Sequence, residues 1–139
     1  MFTIRLIDKN KMQVIIPLLQ KLNSTVTKNE LEERIPEMVA QGYECVGIYD
    51  DQRLIGISGM WLLTKYYIGR HLEPDNVFIL PEYRGKGVGN LLMDWIHQYA
   101  RSRNCRGLEL NCYLNNAEGR KFWKNQGYEE VGYHFRKEL

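Results

Sequence analysis

A chain of 139 residues, 44% hydrophobic and 26% charged, is long enough to bury its own core as one domain and too apolar for disorder. Its formal net charge of +2 is too mild for a nucleic-acid binder, and the three scattered cysteines Cys45, Cys105 and Cys112 fit neither a disulfide framework nor a metal site. The N-terminal stretch lacks the regions of a signal peptide and no apolar run nears the roughly 18 residues that span a bilayer, so the expectations are a cytoplasmic protein, no membrane, no nucleic acid and no metal.

Residues 2–8 alternate apolar and polar side chains and read as a strand. Asn10 is placed to cap a helix over 11–22, with Met12, Ile15, Ile16, Leu19 and Leu22 at helical spacing and Pro17 as a break. Thr27 followed by Glu30 is a capping box opening a helix that closes at Gly42, with Leu31, Ile35, Met38 and Val39 on its apolar face. Two apolar runs, 45–49 and 54–63, form a hairpin, and Gly56 and Gly59 in the second mark a bulge or the close approach of another backbone. A loop over 64–70 leads to a strand at 72–80, where Pro74 confines regular pairing to the later part. A helix follows over 88–103, with Leu91, Leu92, Trp95, Ile96 and Tyr99 in its stripe. A strand at 108–113, a short helix at 116–125 closed by Gly127, and a last strand at 128–138 bending at Gly132 complete the chain. Helices between strands imply parallel pairing and the hairpin implies antiparallel pairing, so the fold class is α/β in the mixed-sheet, α+β sense.

The chemistry concentrates at 77–92. A strand stops at Pro81, glycines follow at alternate positions, Gly85, Gly87 and Gly89, and a helix begins at once. Bare backbone admits a close ligand, and the first helical N–H groups form an anion site to which Arg84 and Lys86 add charge. A P-loop requires GxxxxGK followed by Ser or Thr, but Lys86 is followed by Gly87. A dinucleotide fingerprint requires GxGxxG, but from Gly85 the third glycine falls one residue early, with Asn90 in its place, and the sequence about 20 residues on is basic rather than acidic.

What fits is RxxGxG, met by Arg84, Gly87 and Gly89 directly after a strand ending in proline. This phrase resembles the cofactor motif of the GNAT acetyltransferase superfamily. Asn116, Gly119, Trp123, Gly127 and Tyr128 keep that family's downstream spacing, and the element order resembles a minimal GNAT domain over nearly the full length. The resemblance implies one domain over 1–139, a mixed and mostly antiparallel sheet with splayed central strands flanked by helices, and acetyl-CoA as cosubstrate with coenzyme A as product. It also implies that Arg84, Gly85, Lys86, Gly87, Val88 and Gly89 hold the pyrophosphate and that the backbone of Val77, Phe78 and Ile79 pairs with pantetheine; Asn116 either bonds the pantetheine or caps the short helix, and Trp123 packs against the cofactor or the core.

Acetyl transfer to an amine needs a base, an oxyanion donor and an acid for the departing thiolate. Glu73 and Asp75 lead for the base, with His71 behind them, and a backbone N–H near Ile79 serves the oxyanion. Many family members carry a Tyr where Trp123 stands, and an indole is no acid. That leaves Tyr128, Tyr113 or Tyr133 as donor, or unaided departure of the thiolate. Cys112 reads as a buried structural thiol rather than a nucleophile. A small amine or polyamine is the favoured acceptor, a protein acceptor and a homodimer stay open, and a non-catalytic acyl-CoA-binding or sensing module is the alternative.

Overall fold

The computed structural model describes residues 1–139, and its contacts divide them into two compact units, 1–109 and 110–139. The first holds a five-stranded sheet in the order β1-β2-β3-β4-β5. β1 (Phe2–Leu6), β2 (Glu44–Asp50), β3 (Arg53–Lys65) and β4 (Gly69–Ile79) run antiparallel in sequence order. β5 (Gly107–Leu108) joins parallel to β4 through two residue pairs, His71↔Gly107 and Leu72↔Leu108. The sheet is therefore mixed and mostly antiparallel, and β4 has no ladder partner on its outer edge beyond that point in this unit.

The N-terminal crossover is built as local chemistry dictates. The Asp8 carboxylate accepts from the Asn10 N–H at 2.8 Å and starts a 3₁₀ stretch, Lys9–Ile15, so the cap falls at Asp8 rather than Asn10. Helix α1 (Ile16–Leu22) begins with Pro17 in its first turn, where a missing N–H has no consequence. Helix α2 (Lys28–Ala40) opens on the full Thr27–Glu30 capping box, and the chain leaves it through Gly42 at φ +104. Met12, Ile15, Leu18, Leu31 and Ile35 from these helices pack on Ile48, Ile55, Ile57 and Phe78 of the sheet. Burying several such side chains at about 1.5–3 kcal/mol each is what holds this face together.

Helix α3 (Val88–Ser102) buries Val88, Leu92, Met93, Ile96 and Ala100. Leu91, expected in the stripe, is exposed and Met93 takes its place, while Trp95 stacks on Tyr99 at the edge. The expected loop at 64–70 shrinks to a turn, because β3 runs on to Lys65 and β4 begins at Gly69. Pro74 does not interrupt this pairing; it sits opposite Met60. The carbonyls of Arg70 and Leu72 accept from Arg106 and Glu109, so even-numbered residues of this part of β4 turn their backbone groups away from β3. The nitrogen of Pro74 has the same orientation, and its missing N–H leaves no gap in the β3 ladder.

The second unit is sparser. Helix α4 (Ala117–Asn125) is capped by Asn116, whose Oδ1 accepts from the Gly119 N–H at 2.9 Å, and Gly127 at φ +90 follows its end. The strands expected at 108–113 and 128–138 are not formed: the first stops at Leu108, and no helix or strand follows Asn125. Val131, Tyr133 and Phe135 alternate as a strand would but are exposed, and no ladder satisfies their backbone.

Candidate functional site

The register of β3 against β4 slips once. Ile57 faces Phe78, but Gly59 faces Asp75, so Asn76 and Val77 together oppose Ser58. This is a β-bulge on β4, and Asn76 carries it at φ +44, a conformation Asn tolerates better than most residues. The Asn76 Oδ1 accepts from the Tyr43 hydroxyl at 3.0 Å, and its N–H donates to Asp75 Oδ1 at 2.9 Å. Gly59 makes room for this pair, since a Cβ there would meet Asn76 Oδ1 and the Tyr43 hydroxyl at 2.5 Å. The bulge expected near Gly59 is present, with its extra residue on the facing strand β4, and what approaches Gly59 is side chains rather than another backbone.

The bulge also decides where the backbone points. The Leu80 N–H donates to the Ile55 carbonyl at 2.9 Å, toward β3, so strand alternation turns the N–H groups of Ile79 and Val77 to the open edge. The Ile79 carbonyl on that edge accepts from Arg84 Nε at 2.9 Å. The edge therefore offers donors at Val77 and Ile79 and an acceptor at Val77, while Phe78 turns inward, with its ring buried in the core beneath the Arg84 guanidinium at 5.1 Å.

Just beyond, a 3₁₀ turn (Pro81–Tyr83) leads into the glycine loop. Gly85 and Gly87 take φ of +74 and +78, a region L side chains rarely adopt, and a Cβ on either would meet no atom within 4 Å. The glycines thus answer to backbone shape, and the space before them is open. Gly87 is the N-cap of α3 and supplies no side-chain acceptor, which leaves the first N–H groups of the helix, at Val88 and Gly89, to an anion. The Tyr83 hydroxyl donates to Asp50 Oδ2 at 2.6 Å and Arg53 pairs with Glu82 at 3.0 Å, so the loop is clasped to the tip of the β2–β3 hairpin. Lys86 Nζ lies 5.9 Å from the Tyr83 ring centre.

Directly opposed residues of antiparallel strands share a face, so His71, Glu73 and Asp75 lie on the side of Leu63, Trp61 and Gly59, the side covered by α1 and α2. Both Asp75 oxygens accept N–H donors, Oδ2 from Trp61 Nε1 at 3.0 Å and Oδ1 from Asn76. Glu73, with 19% of its side chain exposed, lies 3.9 Å from Lys65 Nζ and 3.5 Å from His71 Nε2. Glu109, just past β5, was not singled out in the sequence. It lies 3.6 Å from His71 Nε2 and accepts from the Tyr67 hydroxyl at 2.5 Å, and this bond pushes the Tyr67 phenol up to about 12. The strand alternation of Leu108, Glu109 and Leu110 was the available signal for it. His71 is completely buried, which rules it out as a group that meets an acceptor directly.

The remaining sequence candidates belong to the second unit and are described within it. Asn116 performs the capping role. Trp123 packs edge-on against Tyr128 at 5.3 Å, and burial pushes the Tyr128 phenol up to about 12. Cys112 is half-buried rather than buried, and desolvation raises its thiol, the opposite of an activated nucleophile.

The residues present suit a pyrophosphate-bearing thioester cofactor: an uncapped helix start, a glycine loop with open space before it, two cations and a strand edge with free donors. A sequence model described as the acetyltransferase (GNAT) family matches residues 16–128. An uncharacterised N-acetyltransferase of Archaeoglobus fulgidus is 39% identical over 54 residues, covering 39% of this chain and 37% of its own length. A peptidyl-lysine N-acetyltransferase of Salmonella typhimurium is 28% identical over 109 residues, 78% of this chain and 66% of that protein. The chain thus spans less than two thirds of either relative. The aminoglycoside N-acetyltransferase AAC(6')-Iy, solved in complex with CoA, superposes with a TM-score of 0.87 at 17% identity, covering 100% of this chain and 95% of the other, which is a likeness of fold. Because the family model covers most of the chain, and the loop and strand that carry its motif have the geometry described, the chain belongs to the acetyltransferase (GNAT) family.

Proposed function

We propose that the protein transfers an acetyl group from acetyl-CoA to a primary amine by direct attack within a ternary complex, with residues 1–139 acting as one catalytic domain. The observation that carries this reading is the continuity of the bulged, open edge of β4 with the uncapped start of α3. When bound, acetyl-CoA supplies an activated thioester. Arg84, Lys86 and the N–H groups from Gly85 to Gly89 hold its phosphates, the backbone of Val77 to Ile79 orients its arm, and Asn116 and Trp123 contribute on the cofactor side. The outward N–H of Ile79 donates to the oxygen that gains charge during attack.

Glu73 is the proton acceptor for the amine, because Asp75 already has both oxygens engaged while Glu73 is partly exposed and free of N–H donors from the backbone. Tyr128, whose phenol stays protonated at neutral pH, is the candidate donor to the departing thiolate. Three carboxylates, Glu73, Asp75 and Glu109, favour a cationic acceptor, a small amine or polyamine. The Salmonella relative's peptidyl-lysine is the alternative acceptor class. The test is release of free thiol from acetyl-CoA across a panel of diamines, polyamines, amino acids and lysine peptides, with calorimetry of coenzyme A binding alongside. Binding without thiol release on any amine would instead favour the acyl-CoA-sensing reading, for which Trp123 is the argument.

A further inference from the structure

Ser58 and His71 are the buried polar side chains, and they are satisfied differently. The Ser58 hydroxyl donates to the Gly59 carbonyl at 2.8 Å. His71 Nδ1 lies 3.2 Å from the Gly69 carbonyl, which can only accept, so Nδ1 carries a hydrogen. Nε2 has no hydrogen-bond partner at ideal geometry, yet it points between Glu73 Oε2 at 3.5 Å and Glu109 Oε1 at 3.6 Å. A bare lone pair facing two carboxylates in a fully buried position would be three acceptors turned on one another.

The other groups facing this cluster decide where the missing hydrogen belongs. Tyr67 donates to Glu109 from the β3–β4 turn, and Lys65 at the end of β3 lies 3.9 Å from Glu73. Both favour ionised carboxylates, which leaves the hydrogen on Nε2. We propose that His71 is a positioning residue for amine deprotonation: its Nε2–H, aimed at Glu73 and Glu109 together, holds two like charges side by side where β4 and β5 part. This rests on the acetyltransferase reading with Glu73 as proton acceptor. The amine's proton passes to a Glu73 oxygen, and His71 touches neither reactant. Without the bridging N–H, Glu73 and Glu109 repel, and Glu73 serves less well as the acceptor of the amine's proton.

Two measurements test this. In ¹⁵N-histidine-labelled wild-type protein at neutral pH, both His71 nitrogens should show the protonated type of signal, and Nε2 should lose it in E73Q/E109Q. An unprotonated Nε2 in the wild type overturns the proposal whether or not any acceptor has been found. In kinetics, H71F, which keeps a planar ring of similar size but no N–H, should move the acid limb of kcat/KM upward by about one pH unit, with coenzyme A affinity changed less than about threefold. Adding E109Q to H71F should bring the limb back. A lower melting temperature with an unmoved limb, or no recovery in the double variant, would mean that His71 only fills space.

Discussion

At the scale of single residues, the two halves of the site depend on different physics. Gly87 is fixed by its backbone, not by crowding, so Gly87→Val should fold while forcing a β-branched residue into φ +78. The strain, of about 1–2 kcal/mol, is expected to lower the melting temperature modestly and to weaken coenzyme A binding tenfold or more in calorimetry. Unchanged affinity in the folded variant would sink the pyrophosphate assignment. For Glu73→Gln the expectation is a loss of turnover of about 10²–10⁴-fold at neutral pH, shrinking as pH rises and the free amine becomes abundant in solution. A loss that is constant across pH would remove Glu73 from the proton path. The motif residues were legible because a glycine loop is a local arrangement: Arg84, Gly87 and Gly89 lie within six positions of one another. Glu109 was not, since what gives it meaning is His71, 38 positions earlier in sequence.

Among the elements, β4 shows where reading a sequence meets its boundary. The capping box of α2 appeared as expected because Thr27 and Glu30 satisfy each other without outside help. Thr27→Ala should therefore cost about 1 kcal/mol, measured by urea unfolding, without altering coenzyme A affinity. Whether Pro74 breaks a ladder depends on which neighbour its nitrogen faces, and that is fixed by register with β3 and β5, which propensity does not contain. The bulge at Asn76 is likewise a property of a strand pair. Asn76→Val should destabilise the fold by about 2–3 kcal/mol, since it removes the Tyr43 partner and places a β-branched residue at φ +44. Asn76→Gly keeps the backbone free and should lose less. If the two variants were equally stable, backbone conformation would not be what the bulge depends on.

For the whole molecule, the two compact units predict unequal resistance to attack. With Tyr133 and Phe135 80% and 91% exposed and no ladder around them, brief chymotrypsin digestion should cut there before any site within 2–108. Protection of both would show that the expected last strand forms after all. Stability should also fall in acid. Glu30 is held below the ordinary carboxylate value of 4.5 by the Thr27 backbone N–H, Glu82 by its own N–H and Arg53, and Glu130 by Lys124 and Arg120. Groups depressed on folding stabilise above their unfolded value and lose that contribution as pH falls through the folded one, so the melting temperature should be level near neutrality and decline below about pH 4.5.

The outer edge of β4 has one more property. Between Leu72 and Val77 it presents no available N–H: Pro74 has none, and that of Asn76 is taken by Asp75. A strand edge normally invites another chain to add itself, which is how soluble proteins begin to aggregate. Here the donor-free gap and the bulge beside it deny a neighbouring strand any continuous register. Within residues 1–109 this edge is thus a poor template for another copy of the protein.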